Sequence, residues 1–74
     1  MIQYIYIIDE EDYLYNKLKE MYKQDENFCF KKVKEDELEI ALKNIPELII
    51  VNEDSLSRNI TDLCNEIREN SRYL

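Results

Sequence analysis

One segment predicts much of the architecture of this chain: PELIIVN, residues 46–52. Its apolar run, Leu48 to Val51, is rich in β-branched side chains and has no polar interruption. Such runs are typical of strands buried on both faces of a parallel sheet. A second run of this kind, Ile5 to Ile8, is followed at once by the acids Asp9 to Asp12. Because chemistry gathers at the carboxyl ends of parallel strands, these acids and Asn52 are the first candidates for a functional site.

The composition indicates a single small acidic domain. The chain has 74 residues, a size at which burial is proportionally poor and stability is marginal. Its 17 acidic and 10 basic side chains leave a net charge of −7, which repels phosphate backbones and anionic membrane surfaces. We therefore expect neither nucleic acid nor a membrane as a partner of this domain.

Cysteine usage and hydropathy exclude further classes. Cys29 and Cys64 lie far apart in a chain without histidine, so we expect no zinc site and no disulfide framework, and both cysteines should be free and buried. No apolar stretch is long enough to span a membrane, and the amino terminus lacks a signal-type core. These features are typical of a cytoplasmic protein.

The apolar spacing predicts three strands that alternate with three helices. The strands are expected at residues 2–8, 28–33 and 48–51, and the helices at about 11–24, from 34 to the residue before Pro46, and at 60–70. Lysines in the second strand indicate an edge position. The second helix should bury one face and end at Pro46, and Asn59 should cap the third. The expected buried face comprises Leu38, Ala41, Leu42 and Ile45.

These elements predict an α/β fold, a three-layer βαβαβα unit with a parallel sheet and helices on both faces. In order and spacing the chain resembles the amino-terminal part of a receiver domain of bacterial response regulators. Residues 5–11 resemble the first strand and acidic pair of that family, residues 46–52 the segment leading into the phosphoacceptor, and residues 60–70 the third helix. The resemblance implies a partial flavodoxin-like fold with strand order 2-1-3, and a single truncated receiver-like domain over residues 1–74.

The resemblance also assigns the candidate site. Asp9 and Glu10 match the acidic pair that holds magnesium in the family, and Asn52 stands where the family has its phosphoaccepting aspartate. An amide oxygen is a far poorer nucleophile than a carboxylate, so Asn52 is a degenerate phosphoacceptor position that should not be phosphorylated. Losing one charge should leave at most a weak or vestigial Mg²⁺ site, and no resident cofactor is expected.

Each of these residues also has a structural interpretation. The acids from Asp9 to Asp12 suit the positive end of a helix dipole, and asparagine is a good turn former after a strand. On the functional interpretation, the chain is a noncatalytic pseudo-receiver, a regulatory or protein-interaction module of a two-component type signalling protein. Two alternatives stay open: an atypical phosphoacceptor that uses Glu53 or Asp54, and a free-standing small acidic adaptor.

The order 2-1-3 leaves the third strand at an edge. An uncovered apolar edge strand is a template for pairing. We therefore expect one of two partners for it: a second copy, in a homodimer through the third-strand edge, or a missing remainder of a longer chain.

Overall fold

Three parallel strands form the centre of the computed structural model, which describes residues 1–70. Residues 71–74, the end of the expected domain, lie outside that range. The strands are β1 (Gln3–Ile8), β2 (Phe28–Lys32) and β3 (Leu48–Val51), in the order β2-β1-β3. The predicted α/β class, the parallel sheet, the strand order and the edge position of the second strand are confirmed.

Three helices follow the strands. They are α1 (Tyr13–Met21), α2 (Leu38–Ala41) and α3 (Ile60–Asn70). A 3₁₀ turn at Glu35–Glu37 precedes α2, and a second at Glu53–Ser55 follows β3. The sequence thus alternates strand and helix, which is the pattern that parallel strands require of their connections.

The last four residues of the central strand are all buried. Ile7 is 0% exposed, and its neighbours from Ile5 to Ile8 are all buried. Ile7 pairs with Lys32 of β2 on one side and with Ile50 of β3 on the other. A strand in the middle of a sheet with helices on both faces has no solvent-facing side, which explains its uninterrupted apolar run.

Helices cover both faces of the sheet. Alternate residues of β1, Tyr6 and Ile8, face a core that α2 and α3 complete. The buried residues of this core are Tyr6, Ile8, Val33, Leu38, Leu42 and Leu63. At the end of α1, the Tyr22 ring lies 5.6 Å from that of Phe28 and 5.9 Å from that of Phe30, so α1 packs against β2 on the opposite face.

The second helix is shorter than predicted. It ends at Ala41, and Ile45, which the spacing placed on the buried face, is 51% exposed. The Tyr6 hydroxyl donates to the carbonyl oxygens of Ala41 (3.1 Å) and Asn44 (2.8 Å). The sheet thereby satisfies carbonyl groups that a longer helix would have bonded internally, and the chain turns before it reaches Pro46.

The other helices match the predictions to different degrees. α1 spans 13–21 rather than 11–24, because the acids before it are used elsewhere: the Asp12 carboxylate accepts from Lys32 and caps no amide. α3 has the predicted bounds, and the Asn59 side chain caps it by accepting from the Thr61 N–H at 2.7 Å. Both cysteines are free as predicted, but neither is fully buried: Cys29 in β2 is half-buried, and Cys64 is exposed on α3.

Candidate functional site

The ends of β1 and β3 bring Asp9 and Asn52 together. Asp9 follows the last residue of β1 and is only 6% exposed, and it is the buried charged residue of the described part of the chain. Asn52 follows β3, where its N–H still donates to the Ile8 carbonyl oxygen at 2.9 Å. The Asn52 Nδ2 group then donates to Asp9 Oδ1 at 3.3 Å. Two positions 43 residues apart in sequence therefore form one polar pair.

The hydrogen bonds define which way the Asn52 amide points. Its Oδ1 atom accepts from the Asp54 N–H at 3.2 Å, so the NH₂ group is the end that faces Asp9. The reverse orientation would set an oxygen against a carboxylate and a donor against a donor. Asp9 Oδ1 also accepts from the Glu11 N–H at 3.0 Å, so two donors meet at the same oxygen of the buried carboxylate.

A serine hydroxyl ties the loops of the two strand ends together. Ser55 Oγ donates to the Asn52 carbonyl oxygen at 3.0 Å and accepts from the Glu10 N–H at 3.2 Å. Glu10 itself is exposed, and its main chain rather than its carboxylate makes the contact. The position of Asn52 beside Asp9 is therefore held from both sides, by the sheet and by Ser55.

Lys32 places a positive charge on the acidic segment. Its Nζ forms an ion pair with the Asp12 carboxylate and donates to the Glu10 carbonyl oxygen at 3.3 Å. The Lys32 side chain is 26% exposed but the Asp12 side chain is 71% exposed, so water screens the attraction between them. Part of the negative charge that follows β1 is thus compensated by a side chain of β2.

A cleft of about 630 Å³ opens at this end of the sheet. Its walls come from the segment after β1, the segment from Lys32 to Asp36, and two serines, Ser55 and Ser57. Carboxylates outnumber the two lysines that line it, so the cleft carries a net negative charge. An anionic ligand would meet repulsion there.

Glu35 shapes the far side of the cleft. Its carboxylate accepts from the Ser57 N–H (2.8 Å) and from the Ser57 hydroxyl (2.9 Å). Arg58 Nε lies 3.6 Å from the same carboxylate, and the Arg58 guanidinium also pairs with Glu66 of α3. These contacts join the loop after β3 to the 3₁₀ turn before α2, so hydrogen bonds and an ion pair hold two walls of the cleft together.

The residues do not fit a magnesium site of the receiver type. Such a site needs three oxygen ligands at the strand ends, whereas Asn52 turns its NH₂ group toward Asp9. Within residues 1–70, the structure has no group of three or more His, Cys, Asp or Glu side chains that would hold a metal ion. Glu53 and Asp54, the substitute acids considered above, are both exposed in the turn after β3.

Sequence reasoning located Asp9 and Asn52 but missed the residues that hold them. Lys32 was interpreted as an edge-strand charge, although its place at the end of β2 puts it beside the acids that follow β1. Ser55 gave no signal, since a serine after a strand is typical of any turn. A rule that also considers the polar residue that ends each parallel strand would have found Lys32 but not Ser55.

Comparisons with known proteins identify no relative of this chain. No family model, no curated protein and no solved structure matches the chain. Among the described residues, no helix has the length and apolar character needed to cross a membrane.

Proposed function

We propose that this chain is a non-phosphorylatable pseudo-receiver that acts as a regulatory, protein-interaction module of a bacterial two-component type signalling protein in the cytoplasm. Its fold is then a partial flavodoxin-like, receiver-type fold, and its role includes no catalysis and no resident cofactor. The three-stranded parallel sheet in the order 2-1-3 supports this assignment.

The observation that carries the proposal is the hydrogen bond from Asn52 Nδ2 to the buried Asp9 carboxylate. Two carboxylates at these positions would repel one another unless a cation lay between them. The amide removes that repulsion and supplies a hydrogen-bond donor to Asp9 in place of a metal ion. A site built in this way favours one resting state over a switch that depends on phosphorylation.

Phosphoryl transfer from acetyl phosphate tests the proposal. The native chain is incubated with acetyl phosphate and Mg²⁺ beside a phosphorylatable receiver as positive control, and intact mass is measured. We expect no gain in mass for the native chain, because Asn52 offers no carboxylate nucleophile. The gain of one phosphoryl group would contradict the proposal.

Two variants identify the acceptor if such a gain occurs. Loss of the gain in Glu53→Gln or Asp54→Asn would assign the chemistry to a neighbouring acid and establish the atypical phosphoacceptor alternative. Both side chains are exposed in the turn after β3, so these substitutions leave the buried pair of Asp9 and Asn52 intact.

A further inference from the structure

The outer edge of β3 is open. β3 pairs with β1 alone, and in the described chain no strand lies on its other side. Leu48 is 51% exposed, and the next three residues of the strand are only partly buried, whereas residues 5–8 of β1 are 0–7% exposed. An apolar strand is therefore left half-covered at the rim of the sheet.

The pairing of β3 with β1 determines which main-chain N–H and C=O groups of β3 point outward. In a parallel ladder, alternate residues direct both their N–H and their C=O to the same neighbour. Asn52 donates to Ile8 (2.9 Å), and Ile50 stands opposite Ile7 in the register, so the even-numbered residues of β3 bond to β1. The N–H and C=O groups of Ile49 and Val51 consequently point away from the sheet.

The two edges of the sheet differ in charge. The other edge strand, β2, carries Lys31 and Lys32, and lysines on an edge discourage pairing with other strands. β3 carries no charged side chain between Leu48 and Val51. If β3 paired with β2 of another copy, the lysines of β2 would lie at the new strand–strand contact, and repeated pairing of this kind would build an open fibre. If β3 paired with β3 of another copy, no lysine would lie at the contact, which is called the seam below.

We infer that a second copy of this chain pairs with the outer edge of β3 in antiparallel orientation, related by a two-fold axis. Ile49 and Val51 supply matching donors and acceptors on both copies, which is the self-complementarity that a symmetric dimer needs. Leu48 and Ile50 lie on one face of the strand, so the pairing brings four apolar side chains, two from each copy, to the seam. The result is a continuous six-stranded sheet.

This inference deepens the proposed function, since it names the partner of the interaction module. It rests on the proposed function for its regulatory meaning only. Its geometry depends on β3 and not on Asn52, so a monomeric chain that is not phosphorylated would end this inference and leave the proposed function standing. A dimeric chain that is phosphorylated would do the reverse.

The test measures mass and amide exchange together across a range of protein concentration. Size-exclusion chromatography with light scattering, under reducing conditions because Cys64 is exposed, should give a dimer at micromolar concentration. Hydrogen exchange at Ile49 and Val51 should slow as concentration rises, because their N–H groups become bonded only in the dimer. Exchange at the Ile50 and Asn52 amides, bonded to β1 in both states, should change far less.

A pair of variants locates the interface. Leu48→Lys puts an ammonium group into the apolar seam and should raise the dimer dissociation constant by about tenfold or more, equivalent to at least about 1.4 kcal/mol. Ile40→Lys is the control, since Ile40 is an apolar residue outside β3 that is 71% exposed on α2, so it introduces the same charge without placing it on the paired strand. Circular dichroism confirms that both variants fold.

Three results would overturn the inference. They are a native chain that stays monomeric throughout the concentration range, a dimer in which exchange at Ile49 and Val51 does not depend on concentration, and a folded Leu48→Lys variant that dimerises as tightly as the native chain. The exchange measurement uses the native protein, so the inference can fail even if the Leu48→Lys variant does not fold.

Discussion

At the residue scale, the Asn52 side-chain nitrogen supplies a hydrogen-bond donor to the buried Asp9 carboxylate. A buried carboxylate costs free energy unless donors surround it, and here an amide and a main-chain N–H provide them. If position 52 held aspartate, the same geometry would set two acids against one another and demand a cation. The consequence at this scale is that the amide takes a position from which a carboxylate would repel Asp9.

Tyr6 is the second residue whose polar atom has structural consequences. Its side chain is buried, and its hydroxyl donates to two carbonyl oxygens at the end of α2. Replacement by phenylalanine keeps the ring and leaves both acceptors without that donor. We expect Tyr6→Phe to lower the free energy of unfolding by about 1–2 kcal/mol in urea titrations, and Tyr13→Phe, at a 69% exposed position, to have a much smaller effect.

The same hydroxyl should make stability depend on alkaline pH. Burial, with a smaller contribution from the nearby Tyr4, raises the pKa of Tyr6 above its ordinary value of 10.0. The folded state thus favours the neutral phenol, so this stabilisation is complete below pH 10 and is lost as pH rises through the folded-state pKa. The stability difference between the native chain and Tyr6→Phe should therefore shrink above pH 10. A constant difference would contradict this assignment.

At the scale of elements, strands were easier to predict than helices. All three strands lie within one residue of their expected ends; for β1 and β3 this is because the apolar run stops abruptly at Asp9 and at Asn52. α2 ends at Ala41, and the hydroxyl of Tyr6, a residue of a distant strand, bonds the carbonyl oxygens of Ala41 and of Asn44 beyond it. No local spacing contains that contact, so Ile45 was wrongly placed in the core.

The cap of α3 gives a prediction at this scale. Asn59 is the one N-cap of an α-helix, within residues 1–70, for which a side-chain bond to the helix is seen, through the Thr61 N–H. Asn59→Ala should lower the free energy of unfolding by about 1 kcal/mol, because the amide of the first turn loses its acceptor. Asn65→Ala, at an exposed position inside the same helix, should not destabilise the protein. Equal losses in the two variants would argue against the cap.

At the scale of the whole molecule, parallel topology explains why part of the site was predictable. Parallel strands have their carboxyl ends at the same end of the sheet, so the acids after β1 and the amide after β3 had to lie close to one another. The contacts of Ser55 and Lys32 depend on loop paths and side-chain reach, which the apolar pattern does not encode. The fold class and the central pair were therefore accessible from sequence, the place of Lys32 could have been inferred from the end of β2, and the contacts of Ser55 could not.

The dependence of thermal unfolding on Mg²⁺, compared between the native chain and Asn52→Asp, tests the central claim most directly. Without Mg²⁺ we expect Asn52→Asp to be less stable by about 1–3 kcal/mol, because Asp9 loses a donor and gains a like charge. Mg²⁺ should raise the melting temperature of this variant, which has a third carboxylate beside Asp9 and Glu10, and should leave that of the native chain unchanged. Equal stabilisation of both proteins by Mg²⁺, or an Asn52→Asp variant as stable as the native chain without it, would contradict the account.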